Sequence, residues 1–171
     1  MNQFNNLSVN AKVVYLLSLS DLIISNISNS EGYEAAAESL EKCWEWVKYK
    51  NIKAYNLYLY LENMDETDVM TYMQFENDVN KEKVWICIAN ALAYTTWEAY
   101  HYEKEKFLPQ TIESVDYETI ESFIINFNQA YANNKLADRL LNYLEANYPN
   151  GTDKQIDINS VKAFINGITE K

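Results

Sequence analysis

Residues 81–104 read KEKVWICIANALAYTTWEAYHYEK, the longest helical pattern in the chain. Apolar side chains recur in it at spacings of three and four residues, the period of an α-helix. They cover more of the helix than one packed face would need: Trp85, Ile88, Ala89, Leu92, Ala93, Thr96, Trp97 and Tyr100. A helix that is apolar over so wide a surface is typical of a buried position. The segment therefore predicts a central helix with other elements packed around it.

Shorter helical patterns lie on both sides of this segment. They cover residues 13–27, 33–50, 54–62, 67–76, 120–131, 136–144 and 158–168. Pro109 and the Asn133-Asn134 pair mark breaks, and Asp157 is a candidate N-cap. Three glycines and two prolines in 171 residues are too few turn residues for a sheet of many short strands. We expect one all-α domain over residues 1–171, an irregular bundle of about seven to eight helices without a repeat period.

The net charge of the chain limits the kinds of partner that it is expected to bind. Its 25 acidic residues against 14 Lys and Arg give a formal net charge of -11. Nucleic acid and anionic membranes are bound through basic patches, so neither is expected as a partner. Arg139 is the only arginine, which also disfavours bidentate phosphate recognition. A positively charged protein is the favoured partner.

Two cysteines, Cys43 and Cys87, are too few for a disulfide framework and suit a reducing compartment. The chain has no run of about 18 apolar residues, the length that a membrane span needs. We therefore expect a cytoplasmic protein with both thiols in its core.

Residues 54–80, which we call the acidic island, contain neither lysine nor arginine. They hold six carboxylates and five aromatic residues: Glu62, Asp65, Glu66, Asp68, Glu76, Asp78, Tyr55, Tyr58, Tyr60, Tyr72 and Phe75. Clustered negative charge attracts a basic molecule, and aromatic rings give contact area at small entropic cost. The partner contacts predicted here are Glu62, Asp65, Glu66, Asp68, Tyr72 and Asp78. An ordinary solvated face is the alternative interpretation.

A second candidate face lies on the helix predicted over residues 33–50. Four glutamates, which we call the glutamate stripe, are spaced three and four residues apart there: Glu34, Glu38, Glu41 and Glu45. This spacing places them on one face of the helix.

The sequence gives little support to catalysis. His101 is the only histidine, and Cys87 lies 14 positions before it on the same predicted helix. That separation is roughly 21 Å along the helix axis, too far for a nucleophile and its base. Paired carboxylates such as Glu62 and Glu66 would need a cleft to do acid–base chemistry. No catalytic residue is predicted.

Metal and cofactor motifs are incomplete. Glu98 and His101 have the E-x-x-H spacing of a di-iron site, but the chain has no histidine for the second such motif. Asp65 and Glu76 are spaced like the ends of a calcium loop, but Met70 replaces the required glycine. No metal-binding or cofactor-binding residue is predicted, and the role of His101 stays open.

Several separated stretches together resemble one family of all-α immunity proteins from bacterial polymorphic toxin systems, immunity protein family six. They are CWEWV at 43–47, LYLYLEN at 57–63, WICIANALAY at 85–94, AY at 99–100, and LPQ at 108–110 followed by IESV at 112–115. The resemblance covers about residues 38–125 and leaves out the first helix and the last 45 or so residues. It implies a cytoplasmic, non-catalytic protein, encoded beside a toxin, that binds the toxin's C-terminal domain. It assigns no contact residue.

The charge pattern and the resemblance support the same hypothesis. An acidic helical protein could inhibit a basic toxin, for instance a nuclease, by covering its cationic substrate surface with carboxylates and tyrosines. Two other classes stay open: a non-catalytic helical adaptor unrelated to toxins, and a small carboxylate-dependent enzyme. A cleft holding two buried acids with raised pKa values would favour the enzyme.

Overall fold

The computed structural model describes residues 2–115, 117–132, 135–152 and 154–169. Within these residues the chain forms helices and turns with no strand, which confirms the all-α prediction. The α-helices are α1 Asn2–Asn5, α2 Val9–Ile23, α3 Tyr33–Tyr49, α4 Ala54–Leu61, α5 Val69–Phe75, α6 Val79–Glu103, α7 Gln110–Glu113, α8 Tyr117–Ala130, α9 Leu136–Asn147 and α10 Ile158–Thr169. A 3-10 helix, Ile24–Ile27, extends α2.

The central position of α6 is confirmed. It packs against α2, α3, α4, α5, α7 and α8, and residues 91–96 in its middle are all buried. Asp78 caps the start of α6, because its carboxylate accepts a hydrogen bond from the Asn80 N–H at 2.9 Å. Lys104 ends the helix in a left-handed conformation, with φ of 57°.

All eight predicted helices are present, and their bounds differ by a few residues. Helix α2 begins at Val9, earlier than predicted, because the Ser8 hydroxyl accepts from the Ala11 N–H at 3.3 Å. Asp157 accepts from the Asn159 and Ser160 N–H groups and caps α10 as predicted. Helices α1 and α7 were not predicted, since four residues are too short to show a period. The predicted Asn133-Asn134 turn lies outside the described residues.

The segment between α1 and α2 meets the segment that follows α9. Leu7 and Pro149 form an isolated antiparallel bridge, and the Ser8 N–H donates to the Tyr148 carbonyl at 3.0 Å. Helix α1 also packs on α9. This junction places the segment after α9 beside the first turn of α2. No helix in the described part of the chain is long and apolar enough to cross a membrane.

Gly32, just before α3, has a conformation and a neighbour that exclude a side chain. Its φ is 83°, and a Cβ there would overlap the ring of Tyr72. We expect Gly32→Ala to lower the free energy of unfolding by about 2 kcal/mol, because it combines left-handed strain with displacement of that ring. Urea denaturation measures the effect. Gly167→Ala on α10 is the control, since a Cβ at Gly167 meets nothing. Equal stability of the two variants would contradict this account.

Candidate protein-binding surface

The acidic island folds into a hairpin of α4 and α5, as predicted, and Asp68 lies at its centre. Asp68 is only 2% exposed. Its carboxylate accepts from the Thr71 N–H at 2.9 Å, the Thr71 hydroxyl at 3.1 Å and the Asn63 N–H at 3.1 Å. These bonds cap α5 and close the turn. Asp68 therefore holds the hairpin together and does not lie on the surface with the other predicted contacts.

Tyr72 and Glu76 attach α5 to its neighbours. The half-buried ring of Tyr72 stacks on Trp85 of α6, with ring centroids 6.3 Å apart. The Glu76 carboxylate accepts from the Ser30 hydroxyl at 2.9 Å and the Trp85 indole N–H at 3.4 Å. Its pKa is lowered, first by the hydrogen bond from the Asp78 backbone N–H. Both residues thus contribute to packing as well as to the surface.

The other predicted contacts of the acidic island are exposed but do not all lie together. Glu62, Asp65 and Glu66 cluster at the α4–α5 turn, and Asp78 lies beyond the far end of α5. Glu62 accepts from the Tyr58 hydroxyl at 3.0 Å and the Thr111 hydroxyl at 2.7 Å, which ties α4 to α7. The turn therefore carries three negative charges in a small area.

The glutamate stripe lies beside this hairpin. Glu34, Glu38 and Glu41 are exposed on α3. Glu45 is half-buried and forms an ion pair with Lys42 at 3.0 Å. Glu38 accepts from the hydroxyl of Tyr60 on α4 at 2.8 Å. The two faces predicted as alternatives are therefore neighbours joined by a hydrogen bond.

A groove of about 440 Å³ lies between α3 and the hairpin, and we call it the α3–α4 groove. Ala35, Leu59 and Tyr60 give it an apolar floor, with Glu38 at one side. Asn63 and Thr67 of the hairpin turn line its other end. A long basic side chain buries its aliphatic stem on apolar surface and keeps its charge near acids, so the groove suits lysine or arginine.

The Tyr60 hydroxyl in the groove remains a hydrogen-bond donor at neutral pH. Burial and the hydrogen bond to Glu38 raise the pKa of Tyr60 to about 12, so the hydroxyl stays protonated at neutral pH. Exposed apolar side chains border the same hairpin: Tyr55 is 58% exposed and Met64 is 97% exposed. Exposed apolar groups beside acids are typical of a surface that a protein partner covers.

The sequence did not predict a second concave feature, which we call the Glu98 cleft. Glu98 on α6 is 7% exposed and accepts from the Tyr94 hydroxyl at 3.0 Å. The cleft has a volume of about 600 Å³ and lies between α6, the end of α3, the start of α2 and residues 150–152, 154 and 155. The only sequence signal was the Glu98-x-x-His101 spacing, because the burial of Glu98 arises from packing between distant segments.

His101 also lines this cleft, and its ring is held in place by its own helix. Its Nδ1 lies 2.8 Å from the Trp97 carbonyl oxygen, and the two rings have centroids 4.0 Å apart. The carbonyl only accepts, so Nδ1 carries the proton and donates. In the described residues no three His, Cys, Asp or Glu side chains come close enough to hold a metal ion.

The buried acids do not form a catalytic pair. Among the described residues the buried carboxylates are Asp68 and Glu98, and each has its own partners. Asp68 caps a short helix, whereas Glu98 lines the cleft. The two buried carboxylates therefore lie at separate places in the fold.

Glu98 should give the protein a measurable pH dependence. Burial raises its pKa, against smaller opposing effects of Tyr94, Lys12, His101 and Lys50. Above the ordinary glutamate pKa of about 4.3, the folded state holds a proton that the unfolded state has lost. Stability therefore falls as pH rises up to the folded pKa, by at most about 1.4 kcal/mol per pH unit. We expect Glu98→Gln to flatten this slope in urea titrations between pH 4 and pH 7. Glu105→Gln is the control, because Glu105 is exposed just beyond the end of α6. A slope in Glu98→Gln as steep as in the control would contradict this assignment.

Comparison with known proteins gives one family. The family model described as immunity protein Imm6 matches residues 11–130. The match runs from the first turn of α2 to the end of α8, so it includes both faces of the α3–α4 groove. It confirms the family that the sequence resembles and begins earlier, at residue 11 rather than about residue 38. No curated protein and no solved structure matches the chain.

Proposed function

The chain belongs to the Imm6 family of immunity proteins, and we propose that it binds and neutralises the C-terminal domain of a cognate toxin in the cytoplasm of the producing cell. The proposed partner is basic. The proposed mode of action is binding without catalysis, with neither metal nor cofactor.

One observation supports the choice of the surface around the α3–α4 groove. The Tyr60–Glu38 hydrogen bond joins the glutamate stripe to the acidic island, so their charges act as one field around the α3–α4 groove. Such a field accelerates encounter with a basic partner and disfavours acidic ones. The apolar floor then gives contact area that excludes water.

In the proposed complex, lysine or arginine side chains of the toxin enter the groove beside Glu38. Glu34 of the stripe and Asp65 and Glu66 of the turn add exposed negative charge on the elements that form the groove. A toxin acting on an anionic substrate needs these basic side chains free. The carboxylates thus replace the substrate's charge, and the bound protein blocks the substrate's path.

Co-expression tests the proposal. The chain is expressed with the C-terminal domain of the large product encoded beside it, and the purified pair is titrated by calorimetry at low and high salt. We expect growth rescue and tight binding that weakens with salt, because exposed charges are screened. Binding without growth rescue would refute neutralisation of the toxin. No binding and no growth rescue would favour an adaptor for a partner unrelated to toxins.

A further inference from the structure

The Glu98 cleft holds an ammonium group whose described contacts are an amide oxygen and an aromatic ring. The Nζ atom of Lys50, at the end of α3, lies 3.2 Å from the centroid of the Trp46 ring. It donates to Asn10 Oδ1 at 2.6 Å. In the described part of the chain no carboxylate lies within ion-pair distance of it. This is unusual in a protein with 25 acidic residues, and two of the three ammonium donors stay available.

Two further groups in the same cleft favour an anion. Helix α2 begins there at Val9, its first turn contains no acidic residue, and helix starts attract negative charge. In the described structure the N–H groups of Val9 and Asn10 have no acceptor. Lys154 also lines the cleft, and its Nζ atom lies 4.8 Å from the centroid of the Tyr148 ring.

Trp46 supplies an independent observation. It lines the cleft and is 1% exposed, and its indole N–H has no hydrogen-bond partner among the described residues. A buried donor without an acceptor destabilises a fold, so its presence points to a missing acceptor.

The charge of the cleft limits the ligand. Among the described residues that line the cleft, Lys50 and Lys154 carry ammonium groups and Glu98 is the one carboxylic acid. Burial lowers the pKa of Lys50 to about 8, and an anion beside the ammonium group would offset that burial. Val9 and Tyr102 are exposed on the walls and can pack against an apolar body. The volume suits a small organic molecule.

We propose that the Glu98 cleft binds a carboxylate group carried on an apolar body, with the carboxylate held by Lys50 and the start of α2. The carboxylate can belong to a free small molecule or to an acidic side chain of a peptide segment. The site lies apart from the α3–α4 groove and does not rest on the proposed toxin binding. The lining residues 150–152, 154 and 155 also lie outside the family match.

Titration of the full chain followed by the nitrogen–proton signals of the tryptophan indoles tests the proposal. Benzoate is the small-molecule probe, benzamide is its neutral analogue of similar shape, and acetyl-Ala-Glu-Ala-amide is the peptide probe. The signal of Trp46 is assigned from the Trp46→Phe variant. We expect a saturable shift of this signal with benzoate or the peptide and none with benzamide. The probe that binds more tightly identifies the source of the carboxylate.

Lys50→Met removes the charge and keeps the aliphatic stem, and Lys50→Gln is the second variant if the first does not fold. We expect either one to weaken binding at least about tenfold, which is about 1.4 kcal/mol. Lys48→Met is the matched control, since Lys48 is exposed on α3 and lines a different hollow. Equal shifts with benzamide, no saturable shift with either carboxylate, or full affinity in a folded Lys50 variant would overturn the proposal.

Discussion

Trp85→Ala is expected to lower the free energy of unfolding by about 3–5 kcal/mol, the range for removing a buried tryptophan from a well-packed core. Trp85 is fully buried on α6, stacks on Tyr72 and donates to Glu76. Its removal would leave a cavity on the central helix and free the carboxylate that holds the end of α5. The hairpin and the central helix should therefore lose stability together.

Urea denaturation followed by circular dichroism and by fluorescence measures this loss. Trp44→Ala is the matched control: Trp44 is half-buried on α3 and donates to Asp21 at 3.0 Å, so its loss should be about 1 kcal/mol. Trp85→Phe keeps a ring but removes the N–H, so it should fall between wild type and Trp85→Ala. A Trp85→Ala variant no less stable than Trp44→Ala would show that the hairpin does not depend on this contact.

The central helix was predictable because its signal is local. Its apolar residues repeat along 25 residues, and Asp78 before it has a typical capping side chain. Helices α1 and α7 carry no such signal, since each has a single turn. The capping role of Asp68 had a local signal, the Asp-x-x-Thr spacing to Thr71. Asp68 was predicted as a partner contact on the surface, but a capping residue at a hairpin turn can be buried.

The arrangement of the candidate surfaces could not be predicted from local patterns. Glu38 and Tyr60 are 22 positions apart, and only the packing of α3 on α4 brings them together. The Glu98 cleft depends on still more distant segments, since Asn10 and Lys50 are 40 positions apart. Helical periodicity assigns each side chain to a face of its own helix, and the relative position of two faces is a tertiary property.

Reversing three charges around the α3–α4 groove is the largest expected change in toxin binding. The variant Glu34→Lys, Glu38→Lys and Asp65→Lys changes exposed residues of the stripe and the turn. If basic side chains of the toxin bind there, each attraction becomes a repulsion. We expect affinity to fall at least about 100-fold, or about 2.7 kcal/mol, within the range for losing close charge pairs at an interface. The stability of the free protein should change little, because surface charges contribute little to folding.

A control variant of equal net charge distinguishes a local effect at the groove from the effect of the protein's overall electric field on affinity. Glu105→Lys, Glu121→Lys and Asp138→Lys also reverse three exposed acids, and none of the three belongs to the glutamate stripe, the α4–α5 turn or the lining of the groove. Both triple variants change the net charge from -11 to -5, since each reversal adds two charges. Calorimetry at two salt concentrations should show near-normal affinity for the control, and a large loss with a weakened salt dependence for the groove variant. Equal losses would assign the effect to long-range steering alone, whereas unchanged affinity in the groove variant would place the interface on another face.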